Sequence, residues 1–192
     1  SALETLGGEA ALAIENARLY REAIEKAKFE QELKVAAAFQ QALLPVPNRT
    51  GAFFTTAAVS IPCRAIGGDF FDYAQLAGSR SDLDFGFIIG DVTGKGAAAA
   101  LLAAAMLGMF SAEATHRQSA ASLIAELNRG LCSRTIESRF LTAFYGILGR
   151  DGSLAYSNAG HNAPVLVTKA GMARLEKGGV VLGVFEDAAF EQ

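Results

Sequence analysis

The sequence predicts an α+β fold in which helices pack on antiparallel sheets, led in by one long helix. Three observations support this prediction. A helical repeat without proline fills residues 2–44, two strand-like and two helical segments lie between residues 57 and 136, and short strands separated by tight turns occupy residues 140–175. We therefore expect a linker helix over residues 1–44 and a compact domain over residues 45–192.

In the first segment, apolar or small residues recur in steps of three and four. The members of this seam are Leu3, Leu6, Ala10, Ala13, Ala17, Tyr20, Ile24 and Ala27. Pro45 and Pro47 end the helix. At ~1.5 Å per residue, such a helix is about 60 Å long, which is too long to bury on one small domain. We expect a parallel dimeric coiled coil that transmits a signal; a helix folded back on its own domain is the alternative.

The rest of the chain alternates between helical and extended patterns. Alternating or β-branched residues predict strands at residues 57–61, 85–89, 140–148, 154–157, 164–168 and 172–175. Apolar residues with helical spacing predict helices at residues 96–114 and 120–136, the second with one apolar face. Clusters of glycine, serine and charged residues predict a hairpin loop at residues 77–82 and tight turns at residues 149–152 and 169–171.

Composition excludes several classes of function. The net charge of −3, without a cluster of Lys and Arg, argues against a nucleic-acid partner. No apolar run approaches the ~18 residues that span a bilayer, so we expect a cytoplasmic protein without a membrane segment. Cys63 and Cys132 lack metal-ligand spacing and are expected to be small buried residues. Because His116 and His161 are the only histidines, a multi-histidine zinc site is excluded.

Two acidic motifs follow strand-like segments. They are residues 67–73, Gly-Gly-Asp-Phe-Phe-Asp-Tyr, and residues 90–96, Gly-Asp-Val-Thr-Gly-Lys-Gly. A hairpin between them would bring Asp69 and Asp91 side by side. Two adjacent carboxylates repel unless a cation neutralises them, which indicates oxygen-ligated Mg²⁺ or Mn²⁺. Ordinary Asp-Gly surface turns are the alternative.

Two similar motifs do not fit. A P-loop would require glycine at Ile89 and serine or threonine at Gly96. A diguanylate cyclase signature would require an acidic residue at Phe70. We therefore set both nucleotide-binding interpretations aside.

Five segments, in order and spacing, resemble the SpoIIE/RsbU-type PPM (protein phosphatase 2C-like) serine phosphatases over residues 35–192. These segments are residues 43–45, 63–72, 90–102, 140–143 and 157–161. The resemblance implies an αββα sandwich, in which two antiparallel sheets lie between helical layers with a two-metal site at one end. Residues 12–20 resemble the last helix of a GAF sensor domain as it enters its linker.

The resemblance also implies roles for single residues. Asp91 would bridge two Mn²⁺ or Mg²⁺ ions, the Val92 carbonyl would complete one coordination sphere, and Asp69 would hold a metal directly or through water. Asp69 and Asp91 are thus the expected catalytic pair. Arg64 matches an arginine that contacts phosphate, with a solvated surface arginine as the alternative. We interpret residues 158–161, including His161, as a structural turn at a strand end.

The function implied is a metal-dependent protein serine phosphatase of bacterial signalling. Its expected substrate is a phosphoserine on an anti-anti-sigma (STAS) type regulator, and an upstream sensor would control it. Family members carry further metal-binding aspartates beyond the position of Gln192, so we expect an incomplete two-ion site and weak activity in this chain alone. A non-catalytic module for dimerisation or partner binding is the alternative.

Overall fold

The computed structural model describes residues 2–62, 65–76, 84–116, 118–134 and 139–192. Its helices are α1 (Ala2–Leu43), α2 (Ala97–Glu113) and α3 (Ala120–Cys132). Its strands are β1 (Arg49–Thr50), β2 (Thr55–Thr56), β3 (Asp69–Leu76), β4 (Asp84–Val92), β5 (Leu141–Leu148), β6 (Leu154–Ala159), β7 (Val165–Thr168), β8 (Gly171–Arg174) and β9 (Gly178–Gly179). The predicted α+β class with a long N-terminal helix is confirmed.

A five-stranded sheet with the order β3-β4-β5-β6-β9 forms the centre of the fold. Its first four strands are antiparallel, and β9 joins β6 in parallel. Strand β4 is paired along its whole length on both sides, to β3 and to β5. Strands β1 and β2 form one small hairpin, and β7 and β8 form another.

Helices α2 and α3 cover one face of this sheet. Side chains alternate along a strand, so Phe70, Ile88 and Tyr145 point into the core beneath the helices. The small alanine side chains of α2 let the helix lie close to the sheet. Phe110 of α2 meets the Tyr145 ring edge-on, with ring centroids 5.6 Å apart. The predicted apolar face of α3 is also confirmed, since Leu123, Ile124, Leu127 and Leu131 are buried.

The other face of the sheet is lined by aromatic residues and is only partly covered. We call it the open face; it carries Phe71, Tyr73, Phe85, Phe87 and Phe144. Residues 54–59 lie across it, and the Phe54 ring stacks on Phe85 with centroids 3.8 Å apart. This segment forms a partial second layer over the sheet.

The strand predicted at residues 57–61 is wrong. These residues are extended but unpaired, and Val59 and Ile61 are each 78% exposed. Thr55 and Thr56 form the strand instead. The alternating pattern predicted a half-buried strand, but in the described residues no neighbouring strand pairs with this segment, and Pro62 directly after it has no N–H to donate.

The other predicted elements agree with the structure to within a few residues. Helix α3 ends at Cys132, earlier than predicted, and the remainder of that segment is partly outside the described residues. Cys132 is half-buried, not fully buried as expected. The predicted loop at residues 77–82 and Cys63 also lie outside the described residues.

Helix α1 contacts the rest of the fold only near its end. Leu33, Ala37, Gln40 and Leu44, spaced by four, three and four, are half-buried and form the face that meets the domain next to α2. Earlier in the helix the seam is exposed, with 62% of Leu6 and 70% of Tyr20 accessible. The helix is therefore not folded back along its length. Among the helices of the described residues, none combines the length and apolarity needed to cross a membrane.

A pair of glycine substitutions tests the close packing of the sheet. A Cβ on Gly90 would collide with the buried Phe70 ring and lie 2.8 Å from the Thr142 carbonyl oxygen, whereas Gly108 in α2 has open space around it. We expect Gly90→Ala to lower the free energy of unfolding by about 1–3 kcal/mol. Gly108→Ala should raise it by about 0.5–1 kcal/mol because alanine favours helix. Urea denaturation measures both, and equal effects would contradict this packing.

Candidate active site

The two aspartates of the acidic motifs lie directly opposite each other at one end of the open face. Asp69 begins β3 and Asp91 lies near the end of β4, and the two are Cα partners in the antiparallel ladder. Directly opposed residues of an antiparallel pair project to the same side, with Cβ atoms about 4.5–5.5 Å apart. Both residues are exposed. The predicted proximity of these two carboxylates is confirmed.

A buried aromatic ring beside the aspartates fixes this register. Phe70 pairs with Gly90, and the Phe70 ring occupies the space that a side chain at residue 90 would need. A slip of one residue would turn Phe70 to the open face and Asp69 into the core. The packing of Phe70 on Gly90 therefore holds the two carboxylates together on the solvent side.

Their proximity changes the acidity of Asp91. Burial, the negative charge of Asp69 and a hydrogen bond with Asp69 together raise the pKa of Asp91 above its usual range. An acid whose pKa rises on folding stabilises the fold below its ordinary pKa and loses this contribution as the pH rises through the raised value. At neutral pH the fold therefore holds the Asp69 and Asp91 carboxylates together despite the repulsion between their negative charges. A divalent cation would relieve this repulsion.

The residues next to the pair add a third oxygen donor, a backbone carbonyl. The Val92 amide donates to the Gly68 carbonyl at 3.3 Å. A Cβ on Gly68 would lie 2.7 Å from the Val92 carbonyl oxygen, so only glycine leaves that oxygen unobstructed. Two carboxylates and a carbonyl form a donor set that suits Mg²⁺ or Mn²⁺. In the described part of the chain, no group of three or more His, Cys, Asp or Glu side chains gathers here or elsewhere.

The loop after β4 is tied to the strand that follows α3. Thr93 donates from its amide and its hydroxyl to the Phe140 carbonyl, at 3.0 and 2.7 Å, and its hydroxyl accepts from the Phe140 amide at 3.2 Å. Gly94 and Gly96 have φ angles of 93° and 81°, which glycine adopts without strain. Helix α2 then begins at Ala97 without a side-chain cap.

Thr142 and His161 extend the polar end of the open face. Thr142 is the Cα partner of Asp91 on β5, and its hydroxyl lies 2.8 Å from Nδ1 of His161. The buried Asn158 holds the backbone of His161 in both directions, accepting from its amide at 2.7 Å and donating to its carbonyl at 3.1 Å. Burial lowers the pKa of His161, and the negative charge of Asp69 opposes this shift.

The turn predicted at residues 158–161 is only partly confirmed, because Asn158 and Ala159 belong to β6 and only Gly160 and His161 follow the strand. The prediction also missed where the imidazole ring lies. Asp69, Asp91, Thr142 and His161 form a row across the end of the sheet, which we call the polar row. The sequence offered a signal for Thr142 and His161, since both lie in segments that carry the family resemblance. Their contact joins residues 19 positions apart and cannot be seen from spacing.

Two other polar residues of the segment 63–72, which carries the family resemblance, lie elsewhere or fall outside the described residues. Asp72 faces α2, where it accepts from the Ser111 hydroxyl at 3.2 Å and from the Tyr73 amide at 2.7 Å. Burial raises the pKa of Asp72. Arg64, the predicted phosphate-binding residue, is outside the described residues.

Comparison with known proteins gives the family. Residues 81–192, more than half of the chain, match the family described as stage II sporulation protein E (SpoIIE). The chain therefore belongs to the SpoIIE family.

Two relatives agree with this assignment. The chain is 26% identical over 168 residues to the phosphoserine phosphatase RsbU of Bacillus subtilis (strain 168), covering 86% of this chain and 49% of RsbU. It thus spans about half the length of that relative. Its fold is similar to the crystal structure of the RsbU and RsbW domains of Rv1364c from Mycobacterium tuberculosis, with a TM-score of 0.57 and 24% identity, over 69% of this chain and 37% of that one.

Neutralising one carboxylate tests the repulsion between Asp69 and Asp91. Without divalent cations at neutral pH, Asp91→Asn should raise the Tm by about 1–3 °C because it removes one of two like charges. With excess Mn²⁺ the wild type should gain stability and the variant should not. Thermal unfolding measures both effects, with Asp187→Asn at an exposed position as the matched control. An Asp91→Asn variant that Mn²⁺ stabilises as strongly as the wild type would contradict this interpretation of the site.

Proposed function

We propose that this chain carries part of a metal-dependent protein serine phosphatase. The observation that carries the proposal is the Asp69–Asp91 pair, held in register at the end of the open face in a member of the SpoIIE family. The chain is also similar to a relative named as a phosphoserine phosphatase. Paired carboxylates with a neighbouring carbonyl are the oxygen donors that a divalent-metal hydrolase needs.

Each residue of the site has a proposed task. Asp91 would hold both ions, Asp69 would hold one of them directly or through water, and the Val92 carbonyl would supply a further oxygen ligand. When bound, Mn²⁺ or Mg²⁺ supplies an activated water and neutralises charge on the phosphoryl group. The protein itself holds these donors at fixed spacing through the β3–β4 ladder. Arg64 binds a phosphoryl oxygen through its guanidinium group.

The proposed substrate is a phosphoserine on a STAS-type regulatory protein, and the proposed location is the cytoplasm. The name of the Bacillus relative specifies a phosphoserine phosphatase, and the Mycobacterium structure contains an RsbU domain together with an RsbW domain. Both observations favour a role in bacterial signalling through a phosphorylated protein partner.

We further propose that α1 forms a parallel dimer through residues 3–27 and regulates the site. At the other end of α1, the Gln40 amide donates to the Gly67 carbonyl at 2.7 Å and accepts from the Gly67 amide at 3.2 Å. Gly67 lies two residues before Asp69. A rotation or shift of α1 would therefore pull on the backbone that positions this carboxylate. The alanine-rich seam buries little area, which suits a switch between two arrangements of similar free energy.

A non-catalytic interaction module is the second candidate. It is favoured by the small donor set, since the described residues contain no group of three or more His, Cys, Asp or Glu side chains that could hold a metal ion. Under this alternative the chain would dimerise and bind a partner without hydrolysing phosphate.

Turnover separates the two candidates. In the full-length protein, Asp91→Asn should reduce Mn²⁺-dependent phosphate release from a phosphoserine protein by at least about a hundredfold, because no nearby group replaces the bridging charge. Circular dichroism should show an unchanged fold. Release measured with malachite green, with Asp187→Asn as the control, tests this. Wild-type turnover by Asp91→Asn, or full activity in excess chelator, would refute the metal-dependent mechanism at Asp91. Phosphate release by neither the wild type nor the control would favour the non-catalytic module.

Light scattering tests the proposed dimer. Changing both Leu6 and Ile24 to lysine should abolish a concentration-dependent dimer because two charges would enter the seam. The matched control changes Leu12 and Leu19 to lysine; both are exposed but lie on another side of the helix. This control should remain dimeric. A seam variant that still dimerises would place the interface elsewhere, and a wild type that is monomeric at high concentration would refute the dimer.

A further inference from the structure

The polar row contains a side chain to which neither the family resemblance nor the proposed mechanism gives a role. His161 follows β6, and its ring reaches the end of β5, where the Thr142 hydroxyl lies 2.8 Å from Nδ1. Thr142 is opposite Asp91, which in turn is opposite Asp69. The ring therefore continues the line of the two carboxylates, close enough for the charge of Asp69 to affect its pKa.

The position of the ring is built from several contacts. The Asn158 side chain is 4% exposed and binds both the amide and the carbonyl of His161, and it also donates to the Leu175 carbonyl at 3.1 Å. The backbone and Nδ1 of His161 are thus both fixed. Within the described residues, Nε2 of the ring has no hydrogen-bond partner. Nε2 is also not a buried polar atom, since the buried side-chain atoms that lack a partner do not include it. Nε2 remains accessible.

The surroundings favour one form of the ring. Burial lowers its pKa, so the imidazole is neutral at neutral pH and carries one N–H. When the Thr142 hydroxyl donates to Nδ1, this hydrogen lies on Nε2. The result is a fixed hydrogen-bond donor beside a site for oxygen-ligated cations.

His161 also borders the open face. It lines a groove of about 710 Å³ together with aromatic residues such as Phe71, Phe87 and Phe144. Phe71 and Ile89, which also line the groove, lie two residues along β3 and β4 from Asp69 and Asp91, so this part of the groove adjoins the two carboxylates. A phosphorylated side chain would present two or three non-bridging oxygens there, all of them hydrogen-bond acceptors.

We propose that His161 binds the phosphoryl group of the substrate, with Nε2–H donating a hydrogen bond to a non-bridging oxygen and Thr142 holding the ring in place. The inference rests on the proposed phosphatase function for the nature of its ligand. It gives Thr142 a positioning role, because the threonine acts through the imidazole and does not itself touch the phosphate.

The chain allows a direct spectroscopic test, since His116 and His161 are its only histidines. In protein labelled with ¹⁵N-histidine, the His161 ring should be in the Nε2–H form, and adding inorganic phosphate with Mg²⁺ should shift its signals saturably. His116 has an exposed side chain just after the C-terminal end of α2 and serves as the internal control. His161 signals that stay fixed, or that move only in parallel with those of His116, would overturn the proposal.

Two substitutions separate binding from support of the fold. His161→Asn places an amide where Nδ1 meets Thr142 but removes the donor at Nε2, and it should raise the Kd for phosphate about tenfold. His161→Gln places an amide near Nε2 and should restore the Kd to within about threefold of the wild type. Equal affinity of both variants and the wild type would overturn the proposal, and so would equal losses in both variants.

Thr142→Val tests the positioning role. Valine has a similar shape but no hydroxyl, so the ring should lose its preference for the Nε2–H form, and the Kd for phosphate should rise about threefold or more. An unchanged tautomer in this variant would contradict the role of Thr142. Turnover of a phosphoserine protein is measured in parallel with the full-length protein. Phosphate binding at His161 together with a full-length wild type that shows no turnover would refute the phosphatase function alone, and turnover without any response of His161 would refute this inference alone.

Discussion

The pairing of β4 with strands on both of its sides is the constraint on which the rest of this structure depends. Asp84–Val92 forms continuous ladders with β3 and β5, so the position of every side chain on the open face follows from one register. Phe70 fixes that register because its ring fits only against a glycine at residue 90. The same ladders align Asp69, Asp91 and Thr142 at one end of the sheet. The aromatic residues further along the strands line the groove.

The end of α1 is connected to this register through the backbone before β3. Gln40 binds Gly67 through two hydrogen bonds, the next residue, Gly68, lies against the Val92 carbonyl, and Asp69 follows. One short segment therefore contacts the long helix on one side and the candidate metal donors on the other. Most of α1 is exposed, so the proposed dimer would act on the site through these few contacts.

The sequence predicted those features that depend on local pattern. The spacing of apolar residues located α1, α2 and α3, because helical periodicity is visible within a few residues. The two acidic motifs located Asp69 and Asp91, because glycines flank these aspartates in the sequence. It did not predict that Asp72 faces α2 or that the His161 ring reaches Thr142, since both depend on strand register. Alternation at residues 57–61 predicted a strand, but a strand also needs a neighbour with free hydrogen-bonding groups.

The central claim is that Asp69 and Asp91 hold divalent cations between β3 and β4. Anomalous diffraction at the manganese edge, from crystals of the full-length protein grown with Mn²⁺, tests it most directly. The claim predicts anomalous peaks within coordination distance of both carboxylates, about 2.0–2.6 Å, with the Val92 carbonyl oxygen as a further ligand. Peaks at other side chains, or none between these two strands at saturating Mn²⁺, would contradict it.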